Sequence, residues 1–272
     1  MIEAINFLAF LFKTGLSSSA ICVARSALSS YLTCIDCTNF GEHTLVRQFI
    51  KGVFEARPSY PRYAITWDID VVLDHLESYH PNDKITLKEL SYKLIMLLAI
   101  LSGQRCQTLH VLSINEADMT MTTDKCVFVI KEKLKQTKKG KHLAPLEFLA
   151  YNKNKKLCVV DVLKEYIRRT KPLRGSEDKL LISYQKPYKR ISKDTLARWL
   201  RTVLQRSGID TGQFGAHSTR MASTSKAAAF GVPMATVMKA AGWSAESTFT
   251  RFYKKTPVEN MGQTLLDSFI KK

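Results

Sequence analysis

Apolar residues recur at helical spacing through most of the chain. Ile5, Phe7, Leu8, Phe10, Leu11 and Phe12 form a dense first run, closed by Gly15. The serines at 17 to 19 can cap a second helix carrying Ile21, Val23, Leu28 and Leu32. Residues 44–55 predict a third, with Val46, Phe49, Ile50, Val53 and Phe54 on one side and Arg47, Lys51 and Arg57 decorating the polar side. Pro58 and Pro61 then break the pattern, since each proline biases the residue before it toward extended backbone. Helical spacing resumes over residues 68–79. Thr86 and Glu89 have the spacing of a capping box. They open a helix in which Leu87, Leu90, Leu94, Leu97, Leu98 and Leu101 form one stripe, the pattern of a central core helix.

The period changes after residue 125. Residues 126–135 alternate as a strand, residues 137–141 read as a turn, and residues 142–148 return. Helices follow at 158–169, with Val159, Val162, Leu163, Tyr166 and Ile167 inward, and after Ser192, with Leu196, Trp199, Leu200, Val203 and Leu204, stopped by Gly208. Between them, residues 180–183 read as a short buried extended segment. A short apolar helix, MATVMKAA, precedes Gly242, which can end it with a left-handed turn. Residues 258–270 predict a last amphipathic helix. The expected fold is mostly α with a small antiparallel β-sheet. It divides into a helical domain at 1–57, a linker at 58–66 and a larger domain at 67–272.

Charge narrows the function. The 272 residues carry a net charge of +17. Such an excess repels itself in a compact fold, so a polyanionic partner is expected. Hairpin residues Lys131, Lys133, Lys135, Lys138, Lys139 and Lys141, linker residue Arg62, and Arg198, Arg201 and Arg206 opposite the apolar face of their helix suit phosphate contacts. The six cysteines are scattered, and Cys34 and Cys37 have no second pair to complete a zinc site. No apolar run is long enough to span a membrane. The apolar start lacks the basic segment and cleavage site of a signal peptide, and further chain is expected upstream of it.

Residues 216–253 concentrate the candidate chemistry. His217 and Arg220 are three apart, so a helix would turn both to one ligand. Trp243 can donate an N–H to an oxygen. Tyr253, among Arg251, Lys254 and Lys255, reads either as a core aromatic or as a nucleophile whose pKa, ordinarily near 10, is lowered by cations. Arg105 stands at the start of a short helix, where the dipole disfavours a cation unless an anion binds. An ordinary surface arginine, a helix-capping histidine and a packing tryptophan are the plainer readings of these residues taken singly.

Together and in this order, Arg105, the lysine hairpin, His217, Arg220, Trp243 and Tyr253 resemble the tyrosine recombinase, or phage integrase, family. The likeness is carried by TWDIDVVLDHL, LKQTKKGK, HSTRMASTSKAAAFGV and AGWSAESTFTRFYKK, and runs over most of the chain. It is closest to the recombinases of DIRS-type retrotransposons. The resemblance implies a recombinase catalytic domain preceded by a small helical DNA-binding domain. It implies Arg105 and Arg220 as a phosphate clamp, His217 as a residue that positions the phosphate or helps take the tyrosine proton, Trp243 as a further phosphate ligand, Tyr253 as nucleophile and a hairpin lysine as general acid. Lys135 fits that last role best, with Lys138, Lys139 and Lys141 as rivals. It further implies double-stranded DNA as partner, a homotetramer on DNA, no metal or ATP, and a nuclear location in a eukaryotic host. Many family members carry an acidic residue three positions after the first arginine, where this chain has Thr108. A type IB topoisomerase-like relaxer and an inactive recombinase-derived DNA-binding protein are the alternatives.

Overall fold

The computed structural model describes residues 1–32, 39–58, 63, 65–134, 137, 140, 142–243, 246 and 250. The chain divides into two compact units, Met1–Arg62 and Tyr63–Lys272.

The first unit is helical. Helices α1 (Ile2–Lys13), α2 (Ser18–Tyr31) and α3 (Thr44–Ala56) pack around Leu8, Ile21, Phe40, Val46 and Val53. Ser17 caps α2 by accepting the backbone N–H of Ala20 at 3.2 Å. Arg57, assigned to the polar side by its sequence position, turns inward instead. Its guanidinium lies 4.3 Å over the Phe12 ring and donates to the carbonyls of Phe12 and Leu16. The end of α3 is thereby tied to the end of α1.

The second unit is built on α5 (Leu87–Ser102). Both halves of the Thr86–Glu89 capping box form, and Gly103 closes the helix at φ +58°. The single stripe expected for α5 understates its burial. Every residue from Leu90 to Ile100 is buried, because α7, α8, α9 and the sheet enclose the helix. Leu101, assigned to the stripe, is exposed where that cover ends. Lys93 is fully enclosed, with its amine on the Tyr79 carbonyl at 2.6 Å and on Asn82 Oδ1 at 2.9 Å. Helix α4 (Ile69–Glu77) begins at Asp68, which accepts the N–H of Asp70.

The sheet is antiparallel in the order β1 (Met119–Met121), β2 (Lys125–Phe128), β3 (Leu146–Leu149). Cys126 faces Phe148 and Phe128 faces Leu146. Two expectations need correction here. The first hairpin strand spans four residues rather than ten, and the returning strand starts only after Pro145. Val129 still donates to its register partner Asp118 O, but Pro145, opposite it on the β3 side, has no N–H to offer. Strand β1, too short to show an alternation, was not foreseen.

Helices α7 (Val159–Thr170) and α8 (Lys193–Arg206) present the apolar faces read from the sequence. Ser192 caps α8 through the N–H of Thr195. Residues 180–183 are extended, with an isolated bridge between Ile182 and Arg190. Arg206 is exposed like Arg198 and Arg201, but it is tied to aromatic side chains of its own unit. It donates to the Tyr79 hydroxyl at 3.2 Å and lies 5.3 Å over the Tyr92 ring. Among the described residues, no helix is long and apolar enough to cross a membrane. The helix expected at 258–270 lies outside the described residues.

Candidate active site

The site is assembled at the C-terminal end of α5. Gly103 allows the left-handed turn there, and the short helix α6 (Cys106–His110) follows with Arg105 at its N-cap. Arg105 is partly buried and makes no capping hydrogen bond through its side chain. At the other end of α6, His110 donates from Nε2 to the Ile191 carbonyl at 2.8 Å. Its Nδ1 accepts from Arg190 at 3.0 Å, which fixes the neutral tautomer. Burial first, and then Arg190, hold its pKa below the usual histidine value. Helix α6, and Arg105 with it, is therefore fastened to the start of α8.

Helix α9 (Ser218–Ala229) brings the second arginine against the same turn. Arg220 Nη1 donates to the Gly103 carbonyl at 2.8 Å, two residues before Arg105. The Ser223 hydroxyl donates to Ile100 O, one turn further along α9. The approach is close: a Cβ on Gly103 would sit 3.1 Å from Thr224 Cγ2. Arg220 is 1% exposed, and its guanidinium carbon lies 4.4 Å from the centre of the Trp243 ring. A buried guanidinium is costly unless hydrogen-bonded or covered by an aromatic face, and this one has both.

Helix α10 (Met234–Ala241) places Trp243 there. It ends in the left-handed glycine expected from MATVMKAAG: Gly242 has φ +67°, and the Trp243 N–H returns to Met238 O at 2.9 Å. Val237 and Ala241 pack with Trp243. Gln104, next to Arg105, donates to Ala240 O and so links the Arg105 turn to α10.

His217 differs from the expected shared helical face. It is the N-cap of α9 rather than a residue within it, and it is exposed while Arg220 is buried. Its side chain makes no capping hydrogen bond, so the plain capping role is not the one it has. Thr108, where an acid was noted as common, is buried.

The hairpin base is held by ion pairs. Lys131 meets Asp118 at 2.6 Å and Lys179 meets Glu132 at 2.6 Å, while Lys133 is exposed. Lys135, Lys138, Lys139 and Lys141 lie outside the described residues, as do Arg62 and Tyr253. Arg47 and Lys51 are exposed on α3, with Glu55 3.8 Å from Lys51. Arg198 and Arg201 are exposed on α8, lightly held by Thr195 Oγ1 at 3.3 Å and Thr211 O at 3.1 Å. The structure thus gathers Arg105, Arg220 and Trp243 around one turn, with His217 at the start of α9. The Gly103 carbonyl, Gln104 and Ser223, which hold the group together, were not singled out from the sequence; polar side chains beside a helix end carry no distinctive pattern.

The described residues of the larger unit are helices packed around α5, with a three-stranded antiparallel sheet against them, the fold of a tyrosine recombinase catalytic domain. The phage integrase family model matches residues 72–259, and the chain belongs to that family, a tyrosine recombinase by sequence as well as fold. Solved structures agree on the fold. The Tn1549 transposon integrase in complex with transposon right end DNA is 13% identical, with a TM-score of 0.61 over 98% of this chain and 84% of that one. The XerH site-specific recombinase bound to palindromic difH, a post-cleavage complex, is 15% identical, with a TM-score of 0.59 over 100% of this chain and 72% of that one. A lambda integrase tetramer bound to a Holliday junction gives 0.54 at 13% identity, over 95% and 66%. No curated protein sequence matches the chain.

Proposed function

We propose that the chain is a site-specific recombinase of a mobile element, of the DIRS retrotransposon type, that cuts and rejoins double-stranded DNA through a 3′-phosphotyrosyl intermediate. The observation that carries the reading is the grouping of Arg220, Trp243 and the Gly103–Arg105 turn. Residues more than a hundred positions apart in sequence meet where two arginines can hold one phosphate. Arginine grips nonbridging oxygens with parallel hydrogen bonds and stays charged, so Arg105 and Arg220 stabilise the charge that grows in the transition state. His217 and Trp243 contribute further contacts to that phosphate. The Tyr253 hydroxyl gives its proton to His217 as its oxygen attacks phosphorus, the bond to the 5′ oxygen breaks, and a hairpin lysine, Lys135 in first place, protonates the leaving oxygen. The ester retains the bond energy, so religation by the 5′ hydroxyl needs neither ATP nor metal.

The lambda integrase tetramer on a junction supports a homotetramer on DNA for this chain too, and a eukaryotic host would place it in the nucleus. The helical unit at residues 1–57 then contacts DNA through Arg47 and Lys51, and the linker through Arg62. The test is a nicked suicide duplex incubated with the full chain. An adduct surviving SDS is expected for wild type and none for Tyr253→Phe. Equal adduct from both, or none from wild type, sinks the reading.

A further inference from the structure

The chain that enters the larger unit runs beside the segment bearing His217 and touches it at three successive places. The Tyr63 ring stacks on Phe214, with centroids 5.7 Å apart and 23° between planes. The Trp67 indole N–H donates to Ser218 Oγ at 2.9 Å, and that hydroxyl donates onward to Gly215 O at 2.7 Å. Lys226, two turns further along α9, pairs with Asp68 at 3.1 Å and with Asp70 at 2.7 Å. Tyr63 and residues 65–70 therefore form a strap alongside residues 214–226. Two of its contacts fall on either side of His217, at Phe214 and at Ser218.

Trp67 is 5% exposed and Ser218 is fully buried. A cavity of about 210 Å³ opens between the strap and α9, lined by Thr66, Trp67, Asp68, Ala222, Ser225 and Lys226. With shape complementarity incomplete there, directional bonds fix the alignment. The Trp67–Ser218–Gly215 chain sets how the backbone enters α9. It thereby sets where the exposed imidazole of His217, immediately before Ser218, is held.

We infer that Trp67 is a positioning residue of the recombinase reaction: through Ser218 it fixes the His217 backbone at the phosphate, and the strap aligns the whole of α9. Trp67 touches no reacting atom; it acts through His217. The inference rests on the proposed phosphotyrosyl chemistry.

The experiment is a double-mutant cycle in single-turnover cleavage of the nicked suicide duplex by the full chain, using Trp67→Phe, Ser218→Ala, His217→Ala and Trp67→Phe combined with His217→Ala. Phenylalanine keeps a ring at position 67 and removes only the donor. Trp67→Phe and Ser218→Ala are each expected to cleave about tenfold more slowly, the scale of one lost hydrogen bond, with DNA affinity unchanged. On the His217→Ala background the Trp67 change is expected to have no further effect. Amide exchange over residues 214–220 should also quicken in Trp67→Phe. Wild-type rates in the single variants, multiplicative losses in the double variant, or unchanged exchange would overturn the inference while the wild-type adduct still upholds the chemistry. Absence of an adduct from wild type removes both.

Discussion

Arg220 places its guanidinium 4.4 Å from the centre of the Trp243 ring while its Nη1 holds the carbonyl of Gly103 at 2.8 Å. One side chain thus joins the end of α5, the first turn of α9 and the residue after the α10 cap. The ring also screens the charge from water, which strengthens its electrostatic interactions. Trp243→Phe keeps an aromatic face and is expected to cost about 1 kcal/mol. Trp243→Ala removes cover and packing together, for about 3 kcal/mol. Denaturant unfolding of the full chain gives the first comparison. Adduct formation gives the second, in which alanine should be the slower variant.

Gly103→Ala tests the turn beneath the site. A side chain at φ +58° costs about 1–2 kcal/mol. The added methyl also meets Thr224 Cγ2 at 3.1 Å. Thermal unfolding should shift down, and cleavage should fall further than stability alone explains, because the Arg220 acceptor moves. A variant as stable and active as wild type would contradict this geometry.

Arg198 and Arg201 are exposed on the face of α8 away from the core. Replacing each with glutamine should weaken DNA binding on all sequences and lower the slope of log affinity against log salt by about one per lost phosphate contact. An unchanged slope would mean that this face does not meet DNA.

Lys93 gives a pH signature in α5. Burial, its largest cause, lowers the amine pKa from 10.5 to about 8. Between those values the unfolded chain binds the proton that the folded chain has released, so Lys93 makes stability rise with pH across that window. The neutral amine still has two N–H groups for its two acceptors, Tyr79 O and Asn82 Oδ1. In Lys93→Met this rise should vanish. A wild-type minus variant difference that is flat from pH 8 to 10.5 would refute the assignment.

Local chemistry was legible in the sequence wherever a rule acts over a few residues. Thr86 and Glu89 announced the start of α5, Ser192 the start of α8, and Gly242 the end of α10, and each end forms as its residues dictate. Contacts across long separations were not legible. Nothing near Trp67 points to Ser218, and nothing near Arg57 points to Phe12. The burial of α5 on every side exceeded its apolar stripe because Ser91, Tyr92 and Lys93 are enclosed by neighbouring elements, which periodicity does not report. Strand β2 was overread because lysines and valines continue the alternation past the point where hydrogen-bonding partners end. For the site, the order of Arg105, His217, Arg220 and Trp243 was available from the residues, whereas the depth of Arg220 and the exposure of His217 required the fold.

The two fixed ends of α5 make its length a measuring device. Thr86 and Glu89 lock the first turn and Gly103 the last. Each residue of helix advances about 1.5 Å and rotates about 100°. One residue added or removed between those ends would swing Arg105 around the axis and carry the Gly103 carbonyl out of reach of Arg220. Changes of length in the connection between α7 and α8 leave that spacing untouched. Variation in length among related chains should therefore collect in such loops, with the sixteen-residue span of α5 held constant.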